Sequence, residues 1–226
     1  MSFDIEILKV FKLGGLDVWL TETMISTWII MGILIALAVA VRITLKKFSD
    51  IPKGFQNVIE AAVEFFDKFL RDSAGEKLTG LGNWFFTVIA FMILSNISGL
   101  FFLRPPTADW NVTVGFALVT FVLIQVMGVR YNGMAYVKSI FPNPFLALLN
   151  IIGELARPVS LSFRLFGNIL GGMILMSLIY GVAPVFVKFV IPSAIHFYFD
   201  LFAGALQAYI FCVLSLSFIG VAAAQE

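Results

Sequence analysis

The chain has 226 residues, 60% of them hydrophobic and only 13% charged, with a mean hydropathy of +0.99. Soluble domains carry about 25% charged residues, so the chain reads as an integral membrane protein without a soluble domain able to bury its own core. A net charge of +1 excludes a global basic surface for nucleic acid, and one His with one Cys leaves neither a structural zinc or other metal set nor an internal disulfide.

Segment 1–23 is mixed in charge and lacks a cleavage-site pattern, so the first apolar run is expected to remain as a span. That run, 24–42, is closed by Arg42, Lys46 and Lys47. Segment 52–73 differs. Phe55, Val58, Ile59, Ala62, Phe66, Phe69 and Leu70 recur at helical spacing, opposite Lys53, Asn57, Glu60, Glu64, Asp67, Lys68 and Arg71. This predicts an amphipathic helix on the membrane surface or on a partner, with Pro52 at its start. Segment 81–103 is a second span, closed by Arg104-Pro105-Pro106, and 110–129 is a third, from Trp110 to Arg130.

The last two apolar runs, 145–182 and 189–224, are too long for a simple crossing. Each would measure roughly 50 Å as an unbroken helix, against a hydrocarbon core of ~30 Å. Pro158 is a candidate kink, but no Gly/Pro pair splits either run. We expect two long tilted helices forming an antiparallel hairpin through Pro184–Lys188, and no internal repeat is visible. The predicted fold class is therefore all-α, with five membrane-crossing helices plus one amphipathic surface helix. Lys and Arg in short loops mark the cytoplasmic side. Arg42, Lys46, Lys47, Lys53, Lys68, Arg71, Lys77, Arg130 and Lys138 fall on one side of this topology. The N-terminus, the Arg104–Asp109 loop and the Pro184–Lys188 loop are then outside, and the C-terminus is cytoplasmic.

Arg164 stands near the middle of the run 145–182. An arginine at mid-bilayer depth costs about 2.5–3.5 kcal/mol on insertion scales. Snorkelling relieves that cost near helix ends, and Arg164 is far from both. It therefore has to face protein or water. Ser160, Arg164, Asn168 and Gly171-Gly172 recur at a spacing that predicts one shared face, where the glycines permit close helix approach or simply pack. Glu154 and Arg157, at i, i+3, can pair. In the last helix Ser193, His196, Asp200, Gly204 and Gln207 share a face. A carboxylate such as Asp200 within a membrane marks an ion path. In an antiparallel hairpin Arg164 and Gln207 lie level. Asp200 then matches Gly171 and His196 matches Leu175 on the outer side, joined by Asn96 and Ser98 of the second span. Glu154, Arg157, Ser160, Ser215 and Ser217 lie inward. Two polar clusters at opposite depths, separated by a positive charge, is the pattern of two half-channels.

The string Ala156-Arg-Pro-Val-Ser160-Leu-Ser-Phe-Arg164-Leu-Phe-Gly-Asn168, followed by Leu206-Gln207-Ala-Tyr-Ile-Phe211, closely resembles subunit a of F-type ATP synthases. Segment 52–72 and Asn96-Ile-Ser-Gly-Leu100 resemble it more loosely. The resemblance implies a non-catalytic, ion-translocating stator without cofactors, working against a ring of c subunits. It also implies b subunits of the peripheral stalk, further Fo subunits and an F1 head where the ATP chemistry occurs. It matches Arg164 to the family's essential arginine, Asn168 to the asparagine one turn later and Gln207 to the glutamine of the last helix. The host membrane is expected to be a bacterial plasma membrane. One departure bears on the ion: where many members carry a titratable residue, this chain has Met173, and the partner position in the last helix is Asp200. Protons are the expected coupling ion and sodium the alternative. A secondary ion-coupled transporter is the competing class, and a purely structural subunit the third. The usual repeats and broken helices of transporters are not evident, and no Walker-type phosphate loop occurs.

Overall fold

A computed structural model describes residues 7–13, 16–45, 54–101, 103–182, 184, 192 and 194–224. Pro52, Lys53, the basic residues 46–47, most of the expected 184–188 loop, and Ser193 lie outside the described residues. Among those described, five helices are long and apolar enough to cross a membrane, and the protein is an all-α integral membrane protein. A β-hairpin precedes the first helix. β1 (Ile7–Leu13) pairs antiparallel with β2 (Leu16–Thr21), with Val10 opposite Trp19. It falls in a segment for which no regular structure was predicted.

Helix α1 (Glu22–Leu45) follows, its first turn tied by Met24 N–H donating to Thr21 Oγ1 at 3.3 Å. Helix α2 (Phe55–Ala74) is the amphipathic one. It buries Phe66 and Leu70, but Val58 and Ala62 of its expected apolar side are exposed. Its packing partners belong to the same chain. Phe66 meets Phe86 edge-on at 5.3 Å, and Phe69 meets Tyr209 at 5.4 Å. Helix α3 (Gly82–Ser98) continues as a 3-10 turn through Phe101.

Two features here add to the expected topology. The Arg104–Asp109 loop folds inward against the helices. Pro105, Pro106, Thr107 and Ala108 are buried, because Thr107 bonds back to α3 through Ser95 and Asn96. The helix of the third crossing also extends past the expected span 110–129. Helix α4 spans Trp110–Ile140 and turns at Gly133, whose φ of 56° and ψ of −134° lie where an L side chain is strained. The part beyond Arg130 carries no apolar run, and Asn132 Nδ2 ties it to the last crossing by donating to Ala222 O at 2.8 Å.

Helix α5 (Pro144–Val182) runs unbroken for 39 residues with Pro158 inside it, about 58 Å at 1.5 Å per residue. It contains no re-entrant break. The last crossing, Ala194–Ala224, is π-helical over Phe197–Ala203 and α-helical as α6 over Gly204–Ala224. It returns antiparallel to α5. Gly172 faces Phe199, Asn168 Nδ2 donates to Ala203 O at 3.4 Å, and Arg157 lies 5.3 Å over the Phe218 ring. Arg164 and Gln207 are level on this register.

The core lies where α3, α4 and α6 meet, around Phe85, Met92, Ile124, Phe211, Leu216 and Ile219. Helix α5 sits to one side. Only the stripe Pro158, Leu161, Ser162, Leu165, Ile169, Gly172 and Met176 is buried, which leaves most of its circumference open.

Candidate ion-translocation site

The open side of α5 carries Ser160, Arg164, Gly167 and Gly171, all exposed. A Cβ added at Gly153, Gly167 or Gly171 would meet nothing within 4 Å, so the surface around Arg164 is low and unfilled. Among the described residues the ion pairs are Glu154–Arg157 and His196–Asp200. Arg164 has no carboxylate partner within the described chain.

Asn168 and Gly172 do not share this face as expected. Asn168 is half-buried and bonded to the last crossing, and Gly172 is buried against Phe199. Residues four apart advance about 40° around a helix of 3.6 residues per turn, so three such steps from Ser160 to Gly172 turn the row by about 120°. The row winds from the open face into the α5–α6 seam.

Beyond Arg164, towards the Val182 end of α5, the structure places His196, Asp200, Asn96 and Ser98. His196 Nδ1 lies 2.6 Å from Asp200 Oδ2. A Cβ at Gly99 would be 3.3 Å from the Asp200 carboxylate, so Gly99 leaves the room that this side chain occupies. One turn along, Asn96 Nδ2 donates to Gly204 O at 3.0 Å and its Oδ1 accepts from Thr107 Oγ1 at 3.1 Å. Ser98 is buried and donates to Ser95 O. Ser95 and Thr107 were missed. Both are small hydroxyl residues, and their sequence carries no sign that a buried loop would bring them to Asn96. Gln207 is buried at the level of Arg164.

Towards the Pro144 end of α5, Arg157 Nη1 lies 2.7 Å from Glu154 Oε1. Gln125 Nε2 donates to Glu154 Oε2 at 3.0 Å, and Tyr136 OH donates to Gln125 Oε1 at 3.2 Å. Beside them a cavity of about 410 Å³ is lined by Tyr136, Ser139, Asn150, Gly153, Glu154 and Arg157. Ser215 is fully buried without a hydrogen-bond partner among the described residues, and Ser217 is exposed, so the structure does not bring these two serines to one point. Gln125, Tyr136 and Asn150 were also missed. Gln125 interrupts an apolar run and was the one detectable signal.

The arrangement holds two polar clusters at opposite ends of a helix pair, with an exposed guanidinium between them. A family profile described as ATP synthase A chain matches residues 24–220, which includes both clusters and Arg164. The chain belongs to that family. Its relatives include ATP synthase subunit a of Moorella thermoacetica, 34% identical over 94% of each chain. A second, from Gloeobacter violaceus, is 34% identical over 94% of this chain and 87% of the relative. A third, from Propionigenium modestum, is named as sodium ion specific and is 36% identical over 88% of this chain and 73% of the relative. As a subunit a, the protein is an ion-translocating membrane component of the Fo sector and not itself an enzyme; the catalytic chemistry is in F1.

Proposed function

We propose that this chain is the stationary wall of two aqueous half-channels serving a rotating ring of c subunits, with Arg164 between them. One observation carries the reading. Arg164 is exposed and unpaired within the described chain, and it stands on a low stripe of glycine and serine at the level of buried Gln207. A membrane arginine left open in this way needs an anion from another subunit, and a carboxylate on each c subunit supplies it in turn. At 4 Å such a pair is worth about 4 kcal/mol at an effective dielectric near 20, weak enough to be broken at each step. The contact therefore lies in a hydrated cleft.

In this reading ions arrive from outside past His196 and Asp200, with Asn96 and Ser98 beside them, reach the c-ring carboxylate near Asn168 and Gln207, and leave past Ser160, Glu154 and Arg157. Arg164 displaces the ion and blocks a direct leak between the halves. The remaining partners are the b subunits of the peripheral stalk, other Fo subunits and, through the complex, the F1 head. The setting is a bacterial plasma membrane, with the N-terminus outside and the C-terminus cytoplasmic, following the Lys/Arg asymmetry.

The test is Arg164→Ala in membrane vesicles. Ion-driven ATP synthesis should be abolished while the complex still assembles, because an exposed side chain contributes little packing. Arg164→Lys should also fail, since a strongly hydrated ammonium lacks the planar fork. Normal synthesis by Arg164→Ala would refute the proposal.

Protons are the coupling ion we favour, because Asp200 has a second titratable group, His196, against it. Sodium is the second reading. It is favoured by Met173 at an outer position and by the sodium-specific name of the Propionigenium modestum relative. ATP hydrolysis by the intact complex, titrated with sodium at fixed alkaline pH, separates the two. Activity that ignores sodium throughout refutes the sodium reading.

A further inference from the structure

The inner cluster contains a device that its ion pair alone does not explain. Arg157 lies two turns inward of Arg164 on the same helix, about 10 Å along the axis at 1.5 Å per residue. It lines the cavity of about 410 Å³ beside this cluster, which the half-channel reading makes part of the inner path. An uncompensated guanidinium at that place would repel every cation passing it. At the level of Arg164, about 10 Å away, that charge at an effective dielectric near 20 lowers cation occupancy by at least about tenfold, and by more where the ion passes Arg157 itself. Glu154 compensates it, and both carboxylate oxygens are engaged, one by Arg157 at 2.7 Å and the other by Gln125 at 3.0 Å.

Gln125 is itself held. Tyr136 OH donates to its Oε1, which turns the amide so that its NH₂ faces Glu154. Tyr136 reaches this place because α4 bends at Gly133 and returns its ring across Gly128, where any Cβ would stand 2.6 Å from the ring. The ring is 3% exposed, so its position is fixed by packing. Three features of α4, a left-handed glycine, a glycine under the ring and a buried tyrosine, thus converge on one carboxylate of α5.

We propose that Gln125 and Tyr136 are positioning residues of the inner port: by orienting Glu154 they hold Arg157 neutralised, so that Arg164 is the one net positive charge the moving ion meets on α5. The inference rests on the half-channel reading above and adds Gln125 and Tyr136 to it.

The test uses the intact complex in vesicles and measures ATP synthesis driven by an imposed ion gradient, normalised to the amount of assembled complex. Glu154→Gln leaves Arg157 uncompensated and should reduce the rate at least about tenfold, the occupancy effect of one unit charge about 10 Å away. Glu154→Gln with Arg157→Gln removes both charges and should recover most of the loss in rate per assembled complex, whereas a merely structural pair would show its loss and rescue in the amount assembled. Gln125→Met, close in volume, should fall between wild type and Glu154→Gln, and adding Arg157→Gln should lift it again. Tyr136→Phe keeps the packing and should reproduce part of the Gln125→Met loss. A double variant as slow as Glu154→Gln alone overturns the inference. So does Gln125→Met at the wild-type rate. Arg164→Ala separates the two levels. If it is inactive while the neutral pair gives no rescue, the inference fails alone; if it is active, the half-channel reading fails whatever the pair does.

Discussion

Gly204→Ala tests whether the outer cluster is held as closely as the structure has it. A Cβ at Gly204 would stand 2.7 Å from Asn96 Cβ, 2.8 Å from its Nδ2 and 2.9 Å from its Cγ. Asn96 cannot rotate away freely, since its amide donates to Gly204 O and accepts from Thr107. The methyl must therefore push α3 from the last crossing or displace the amide. Overpacking of this kind costs about 1–3 kcal/mol, and each interhelical hydrogen bond lost within a membrane protein adds about 0.6 kcal/mol. The total is about 2–4 kcal/mol, enough to lower the temperature at which the subunit is lost from the purified complex. The assay is a thermal ramp on detergent-solubilised complex, read by the subunit a remaining with it, alongside ATP synthesis in vesicles. Asn96→Gly in the Gly204→Ala background removes the Cβ and the amide that obstruct the methyl, so it should restore part of the packing without restoring the hydrogen bonds. A Gly204→Ala complex that melts and synthesises as the wild type does would refute the close contact and the cluster built on it.

Gly167→Leu and Gly171→Leu should leave the thermal behaviour of the chain nearly unchanged, because nothing lies within 4 Å of either Cβ, yet abolish coupled synthesis by obstructing the rotor; retained synthesis would remove this face from the rotor interface. Cysteines at 196 and 200, in a Cys212→Ala background, should react with small water-soluble reagents applied from outside, whereas a cysteine at exposed apolar Phe202 should resist; equal protection at all three positions would remove the outer aqueous path. Asp200→Asn should be severely damaging if protons are carried, since an amide does not titrate, and only partly so if sodium is carried, because an amide oxygen still ligands a cation; the comparison is turnover across a sodium titration at constant pH.

The membrane class, the number of crossings and the candidate arginine were legible in the sequence, because each follows from local composition. A run of about 20 apolar residues spans a bilayer wherever it sits, and Arg164 is costly within such a run whatever surrounds it. The antiparallel return of the last crossing also follows from chain order, and it puts Arg164 level with Gln207 without tertiary information. Contacts between distant segments were not legible. Thr107 joins Asn96 only because the loop after α3 folds inward, and Tyr136 reaches Gln125 only because α4 turns at Gly133. The spacing of Ser160, Arg164, Asn168 and Gly172 gave their order on the helix but not which of them its neighbour would cover. Packing decided that: the last crossing covers the side holding Asn168 and Gly172 and leaves Arg164 open. Burial and pairing depend on which helix lies against which, and no single segment of the chain contains that information.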